Sequence, residues 1–306
     1  MLTFLLKRLL HGIVVLWVVA TLTFILLRLA PGGPFDTARR LPPEVLANIE
    51  AKYHLDEPLW SQYLRYLAGI VHADLGPSYK YLDRAVSRII ADTLPTSALL
   101  GLLALIFALA VSFLAGLIAA SFRNSWIDRL SLLAATLGIS VPHFILGALL
   151  IWLFALQLGW LQAGRWDNAA SVVLPTITLG AAPAAYLAAL VRSTVIETLS
   201  EDFIRTARAK GLRESAVLFK HALRNSLVPV LTVMGPLTAA LLTGSFVVEY
   251  VFAIPGMGRF FITAVTDRDY PLIMGVTLVY TTLLVAANFL VDLCYSYIDP
   301  RIRAYG

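Results

Sequence analysis

The stretch EDFIRTARAKGLRESAVLFKHALRNSLVP, residues 201–229, holds the residue types and spacing best suited to physical work in this sequence. Its first part predicts a helix from about Glu201 to Lys210. Phe203, Ile204 and Ala207 share one face of it, and Arg208 keeps that face narrow. Gly211 then breaks the helix or lets another backbone come close. A second helix carries Val217, Leu218, Phe219, Ala222 and Leu223 and leads to Pro229. Two short helices meeting at a glycine form a compact knob, and a knob of that shape suits a groove in a soluble partner. The chemistry is mechanical: docking, with no bond made or broken. Taken alone, the glycine reads as a turn and the basic residues as topological markers.

Other reactive residues do not assemble. There is no phosphate-cradling G-x-x-x-x-G-K-[ST] and no Gly-Lys pair at all, which argues against ATP binding by this chain. The five histidines (His11, His54, His72, His143, His221) are scattered, no Cys/His set has zinc-ligand spacing, and no Ser/His/Asp arrangement is identifiable. Catalytic, metal and cofactor-binding residues are therefore expected to be none. The single cysteine, Cys294, cannot form an intrachain disulfide and reads as an apolar filler. His143, after Pro142, reads as a packed or partnered histidine, with pathway lining as the alternative. Glu249 and Asp292 stand near the ends of apolar runs. Ionisable residues in a membrane are functional candidates, so Glu249 and His143 are carried forward as pathway or gating candidates. The lack of a central acid makes proton or sodium coupling an unattractive energy source.

The elements that hold these residues are set by apolar length. Hydrophobic residues make up 59% of the chain and charged ones 14%, against roughly 25% charged in soluble domains, so much of the surface must face something other than water. A helix crosses a bilayer core of about 30 Å with roughly 20 residues. Six runs reach that length, at about 9–30, 97–121, 132–157, 172–191, 228–252 and 272–297. The fold class is thus all-α integral membrane protein. The fourth run is interrupted by Pro175, Gly180 and Pro183, and its many alanines (Ala181, Ala182, Ala184, Ala185, Ala188, Ala189) would let neighbouring helices approach closely. The first run, Leu9 to Leu27, exceeds the roughly 7–15 residues of a signal-peptide core and reads as a retained span.

Orientation follows from Lys and Arg in short loops. With the N-terminus inside, the cytoplasmic segments carry Lys7 and Arg8; Arg123 and Arg129; Arg192, Arg205, Arg208, Lys210, Arg213, Lys220 and Arg224; and Arg301 and Arg303. The short outer loops carry only Arg165, Arg259 and Arg268. Both termini are expected in the cytoplasm. The net charge of +5 is accounted for by this asymmetry and needs no nucleic acid. The long outer segment 31–96 has seven basic residues against eight acidic, consistent with a translocated segment. It predicts a small helical periplasmic cap between helices 1 and 2: a helix opening at Pro43 and Glu44, a second with Asp56 as N-cap and Pro58 in its first turn, and a third from about Leu82 to Ile90. Leu59, Tyr63, Tyr66, Leu67 and Ile70 recur at helical spacing in the second.

Four stretches together resemble one family. RTARAKGL (Arg205, Thr206, Ala207, Arg208, Ala209, Lys210, Gly211, Leu212) is similar to the cytoplasmic coupling loop of ABC importer permeases of the oligopeptide/dipeptide branch. DLGPSY at 74–79, VVEYVFAIPGMG at 247–258 and LPPEVLANIEAKYHLDEPL at 41–59 resemble the same branch, the last its oligopeptide B-type subunits in particular. The general pattern of Glu-Ala-Ala before the glycine is replaced here by Arg205, Thr206 and Ala207, and the later Leu-Pro by Leu223-Arg224. The resemblance covers almost the whole chain. It implies the type I permease fold, with domains at 1–30 (first span), 31–96 (cap) and 94–297 (permease, coupling loop 201–224), in a bacterial cytoplasmic membrane. It implies a heterodimer with a homologous second permease, two cytoplasmic ATP-binding subunits that hydrolyse ATP, and a periplasmic peptide-binding protein. Oligopeptides are the expected substrate, and relatives also move dipeptides, nickel complexes or other small solutes. A self-sufficient secondary transporter or channel is the other reading, and a membrane enzyme the least supported.

Overall fold

The computed structural model describes residues 2–35, 43–81, 83–242 and 245–298. The expected helix start at Leu82 and the charges of Arg301 and Arg303 lie outside the described residues, as do the side chains of Asp292 and Cys294. Helices dominate: α1 (Leu2–Leu29), α2 (Pro43–Lys52), α3 (Leu59–Val71), α4 (Val86–Ser121), α5 (Trp126–Ser140), α6 (His143–Leu150), α7 (Ala169–Leu199), α8 (Asp202–Ala209), α9 (Glu214–Ala216), α10 (Leu223–Leu242), α11 (Phe246–Val251), α12 (Met257–Asp267) and α13 (Tyr270–Ile298). Among the described residues the only extended pairing is an isolated antiparallel bridge, Pro77 with Ala85. Five helical runs are long and apolar enough to cross a bilayer, and the bent pair α5–α6 supplies a sixth if it counts as one span.

Proline decides where the sequence expectation and the fold differ. The third span is not one helix. It bends by 107° between Trp126–Ser140 and His143–Gln157. Pro142 has no N–H to donate, and its ring bars the preceding residue from the helical region, so Val141 is extended at φ −81°, ψ 119°. His143 therefore opens α6 and is not inside a straight span. Pro175 and Pro183, by contrast, leave α7 unbroken over 31 residues. Unwinding there would release further backbone groups into an apolar medium, so the helix continues. Pro95 is likewise carried inside α4, and the third cap helix is absent as a separate element because α4 starts at Val86 and runs on to Ser121. Pro58 itself occupies the N-cap of α3, displacing Asp56 from that role. No helix is expected from the sequence at Met257–Asp267, where α12 forms.

The chain forms two compact units, residues 1–96 with 256–283 and residues 97–255 with 284–306. The core of the first gathers Val86, Ile89, Ile90, Met257, Leu272, Ile273 and Val276. Its DLGPSY loop is pinned by Asp269, which is fully buried. The Asp269 carboxylate accepts the Ser78 hydroxyl, the Tyr79 N–H at 3.1 Å, the Lys80 N–H at 3.3 Å and the Leu272 N–H at 3.3 Å. The last of these caps α13, so one carboxylate both starts a span and shapes the DLGPSY loop.

The second unit packs α4, α7 and α10 at backbone contact. A Cβ on Gly101 would lie 2.0 Å from the Leu241 carbonyl oxygen, and one on Gly180 2.8 Å from that of Ala104. The small face of α7 serves this purpose, with Leu174, Leu187, Val191 and Val195 filling the space between. An Asn168–Ser171 capping box opens α7, the Asn168 side chain accepting the Ser171 N–H at 3.1 Å.

Candidate functional site

The sequence 201–223 builds a knob directly on the end of α7. Ser200 and Glu201 join α7 to α8, with the Ile204 N–H bonded to the Glu201 carbonyl at 3.1 Å. Ile204 and Ala207 turn inward and pack with Val217 and Ala222, with Leu199 alongside. Phe203 does not join that face: it is exposed, as are Leu212 and Phe219. Ile204 and Ala207 form the buried face, and Phe203, one turn before Ala207, stands at its solvent edge at 42% exposure. The second helix of the knob is wound wide, as a π-helical stretch Val217–Ala222 between α9 and α10, and the run from Glu214 to Leu242 passes Pro229 and Pro236 without a break.

Gly211 ends α8 in a Schellman turn. Its φ is +74°, its N–H bonds to the Arg208 carbonyl at 2.9 Å, and the Leu212 N–H reaches back to the Ala207 carbonyl at 3.3 Å. A left-handed residue is needed there, which is why glycine serves. A Cβ at Gly211 would meet nothing of this chain within 4 Å. The glycine thus satisfies the turn and leaves its outer side open. Arg208, expected to narrow the apolar face, instead reaches over the turn to Glu214 with two parallel bonds of 2.8 and 3.2 Å. Both side chains are exposed to solvent that screens them, so this pair orients the loop more than it stabilises it. Arg205 pairs with Asp202 one turn back at 3.2 Å. The solvent side of the knob thus offers Phe203, Leu212 and Phe219 beside exposed Arg205, Thr206 and Lys210.

An ion pair that the sequence does not single out ties α5 to α7, the helix that leads into the knob. Asp128, in the first turn of α5, is buried and receives the Arg192 guanidinium from α7, with Nη2 to Oδ2 at 2.7 Å and Nε bonded to Oδ1. Its carboxylate also accepts the Asn124 N–H at 2.9 Å, and Ser125 caps the same turn. The signal was present: Ser125-x-x-Asp128 ahead of an apolar run is a capping-box pattern.

The pathway candidates are far apart in character. His143, half-buried, places Nδ1 3.1 Å from the Thr178 carbonyl of α7. Glu249 is fully buried in α11. The VVEYVFAIPGMG stretch forms α11 and a second Schellman turn, with Ala253 left-handed at φ +52° and the Ile254 N–H on the Glu249 carbonyl at 2.8 Å. Phe252, fully buried, accepts the Arg165 N–H at 2.8 Å on its carbonyl, and Gly164 leaves room for that contact, since a Cβ there would lie 2.3 Å from the same oxygen. Among the described residues no three His, Cys, Asp or Glu side chains gather as a metal site.

Residues 112–304 match the family described as binding-protein-dependent transport system inner membrane component, and residues 1–101 match the N-terminal family of such membrane components. The chain is 45% identical to the oligopeptide transport system permease protein OppB of Haemophilus influenzae over 99% of this chain and 100% of that protein. It is 46% identical to the dipeptide transport system permease protein DppB of Bacillus subtilis over 94% of each, and 42% identical to OppB of Escherichia coli K12 over 99% of this chain and 100% of that protein. The fold is that of a chain in a solved structure of the MetNI methionine ABC transporter in inward-facing conformations, with a TM-score of 0.51 at 19% identity, covering 71% of this chain and 96% of that one. Matched along nearly its whole length, this chain belongs to the inner membrane component family of binding-protein-dependent transport systems.

Proposed function

We propose that this chain is a membrane-spanning permease subunit of an ATP-driven peptide importer in the bacterial cytoplasmic membrane, with oligopeptides as its substrate class. The identity of 42–45% to OppB proteins over nearly the full chain supports this reading, and the 46% to a DppB keeps dipeptides as the second one. Its partners are a homologous second permease, two cytoplasmic ATP-binding subunits and a periplasmic peptide-binding protein. Catalysis of ATP hydrolysis belongs to the separate ATP-binding subunits. The Lys and Arg asymmetry of the short loops supports cytoplasmic termini. Domains at 1–30, 31–96 and 94–297 follow from the same reading, with His143 and Glu249 as pathway or gating residues.

The observation that carries the mechanism is the knob itself: an apolar and basic surface, ended by a glycine with open space beside it, on a direct extension of α7. Arg205 to Leu212 seat in a groove of an ATP-binding subunit. When ATP draws those subunits together the knob moves with them, and α7 and α10, which start and end it, carry the movement into the bundle. Nucleotide shifts this equilibrium only by its differential affinity for the two states.

The test uses the full complex in proteoliposomes, with ATP hydrolysis and peptide uptake measured together. Gly211→Asn keeps a residue that tolerates a left-handed φ, at a strain of roughly 1 kcal/mol. Gly211→Trp adds bulk on the open side. Gly211→Asn should import at a reduced rate, whereas Gly211→Trp should lose uptake while hydrolysis persists. Normal uptake by the Trp variant, or uptake by the purified chain without ATP-binding subunits, contradicts the proposal.

A further inference from the structure

The helix α3 is the second element of the segment read from sequence as a periplasmic cap, and its packing depth is at odds with a purely aqueous setting. It lies along α1. Tyr63 and Thr21 share a hydroxyl hydrogen bond of 2.7 Å, and the Phe24 ring packs tilted on Tyr63 and stacked on Tyr66 at ring-centroid distances of 5.3 and 6.1 Å. These α1 residues are inside the candidate span Leu6–Leu29. Arg28, in the last turn of α1, marks the polar end of that span. Thr21 stands seven residues before Arg28, about 10 Å deeper at about 1.5 Å per residue. One leaflet of hydrocarbon is only about 15 Å thick. A helix bonded to Thr21 is therefore beside the acyl chains.

The outward side of α3 suits that place. Trp60, Leu64 and Val71 lie on the side opposite Gln62 and Gly69 and are 68%, 53% and 82% exposed. On α1, Leu22, Leu26 and Leu29, on the side away from Thr21 and Phe24, are 53%, 65% and 75% exposed, while Ala20 and Phe24 are buried. Both helices thus leave an apolar side exposed. The one charge in α3, Arg65, is tied to Glu57 at 2.6 Å. Nothing on the exposed stripe offers a charge to a soluble partner.

We infer that α3 is sunk in the leaflet at the C-terminal end of α1, with Trp60 and Leu64 contacting lipid acyl chains. The segment between the first two spans is then partly a membrane-embedded brace and only partly an aqueous cap. The inference rests on the membrane reading of α1 and not on the substrate or the coupling knob.

Nitroxide labels on Trp60→Cys and Leu64→Cys, each in a Cys294→Ser background and in the complete transporter in vesicles, test this by collision with oxygen, which partitions into lipid, and with a water-soluble nickel chelate. Both labels should respond to oxygen and show a several-fold loss of nickel access relative to a label on Glu44→Cys, an exposed position in α2. Nickel access equal to that control would place the helix in water and overturn the inference. Poor access to both reagents would also overturn it, because a protein surface, whether the binding protein or a second permease, would then cover the stripe.

Discussion

Asp269→Ala should be among the most damaging single substitutions in this chain, with a loss of about 4 kcal/mol and little intact transporter recovered from membranes. The side chain is fully buried, and its two oxygens take one hydroxyl and three backbone N–H groups. Alanine would leave those donors without an acceptor in a site that excludes water, at about 1–3 kcal/mol each before any relaxation. It would also remove the N-cap of α13, a further 0.5–2 kcal/mol. Asp269→Asn keeps one acceptor but turns an amide toward donors, so it should fall between the alanine variant and wild type. Ser78→Ala should cost less, about 2 kcal/mol, because the Tyr79 and Leu272 N–H groups keep their acceptor while those of Lys80 and Tyr81 lose the Ser78 oxygen, 3.2 and 2.8 Å away. Thermal unfolding of the detergent-purified complex should rank the three as Asp269→Ala, then Asp269→Asn, then Ser78→Ala. Equal midpoints for Asp269→Ala and wild type would show that the carboxylate does not hold the loop.

How far the sequence could be read depended on the kind of signal. Apolar length located the spans because a bilayer enforces it and little else produces it. The knob was legible for a similar reason: a polar, basic segment with helical phasing and a glycine stood out between two apolar runs. Proline was harder. Pro142 stands between two helices that meet at 107°, while Pro95, Pro175 and Pro183 are carried inside continuous helices. No local pattern records that. Phe203, grouped with Ile204 and Ala207 by apolar character, is 42% exposed, because apolar character alone does not fix burial. Asp269 stands directly before the apolar run of α13, with Pro271 early in that helix, an N-cap signature that could have been read. That the same carboxylate would receive the loop at Ser78, 191 positions away in sequence, could not.

Arg192→Ala should have the second large effect, and a functional one in addition to its cost in stability. It would strip the guanidinium from Asp128, whose side chain is 3% exposed, and leave the carboxylate with the Asn124 N–H as its remaining bonded donor among the described residues. Breaking a buried pair by removing one partner costs about 3–5 kcal/mol. Arg192 is itself 20% exposed, so the lower end, about 3 kcal/mol, is expected. The functional part comes from position. Arg192 sits two turns before the end of α7, and α7 passes through Ser200 and Glu201 into α8. On the proposed coupling, a push on the knob would reach α5 through this ion pair and through the packing of Gly138 on Ala185 in the same two helices. Stability and transmission can be separated with the double variant Asp128→Leu/Arg192→Met, since replacing a buried pair by apolar groups of similar volume is often neutral or stabilising. The double variant should recover most of the unfolding midpoint lost by Arg192→Ala and should hydrolyse ATP. Its peptide uptake per ATP should stay several-fold below wild type, because apolar contact slides where a bidentate pair holds. Full recovery of uptake along with stability would make the pair a structural contact only, and would leave the α10 side of the knob as the route by which motion enters the bundle.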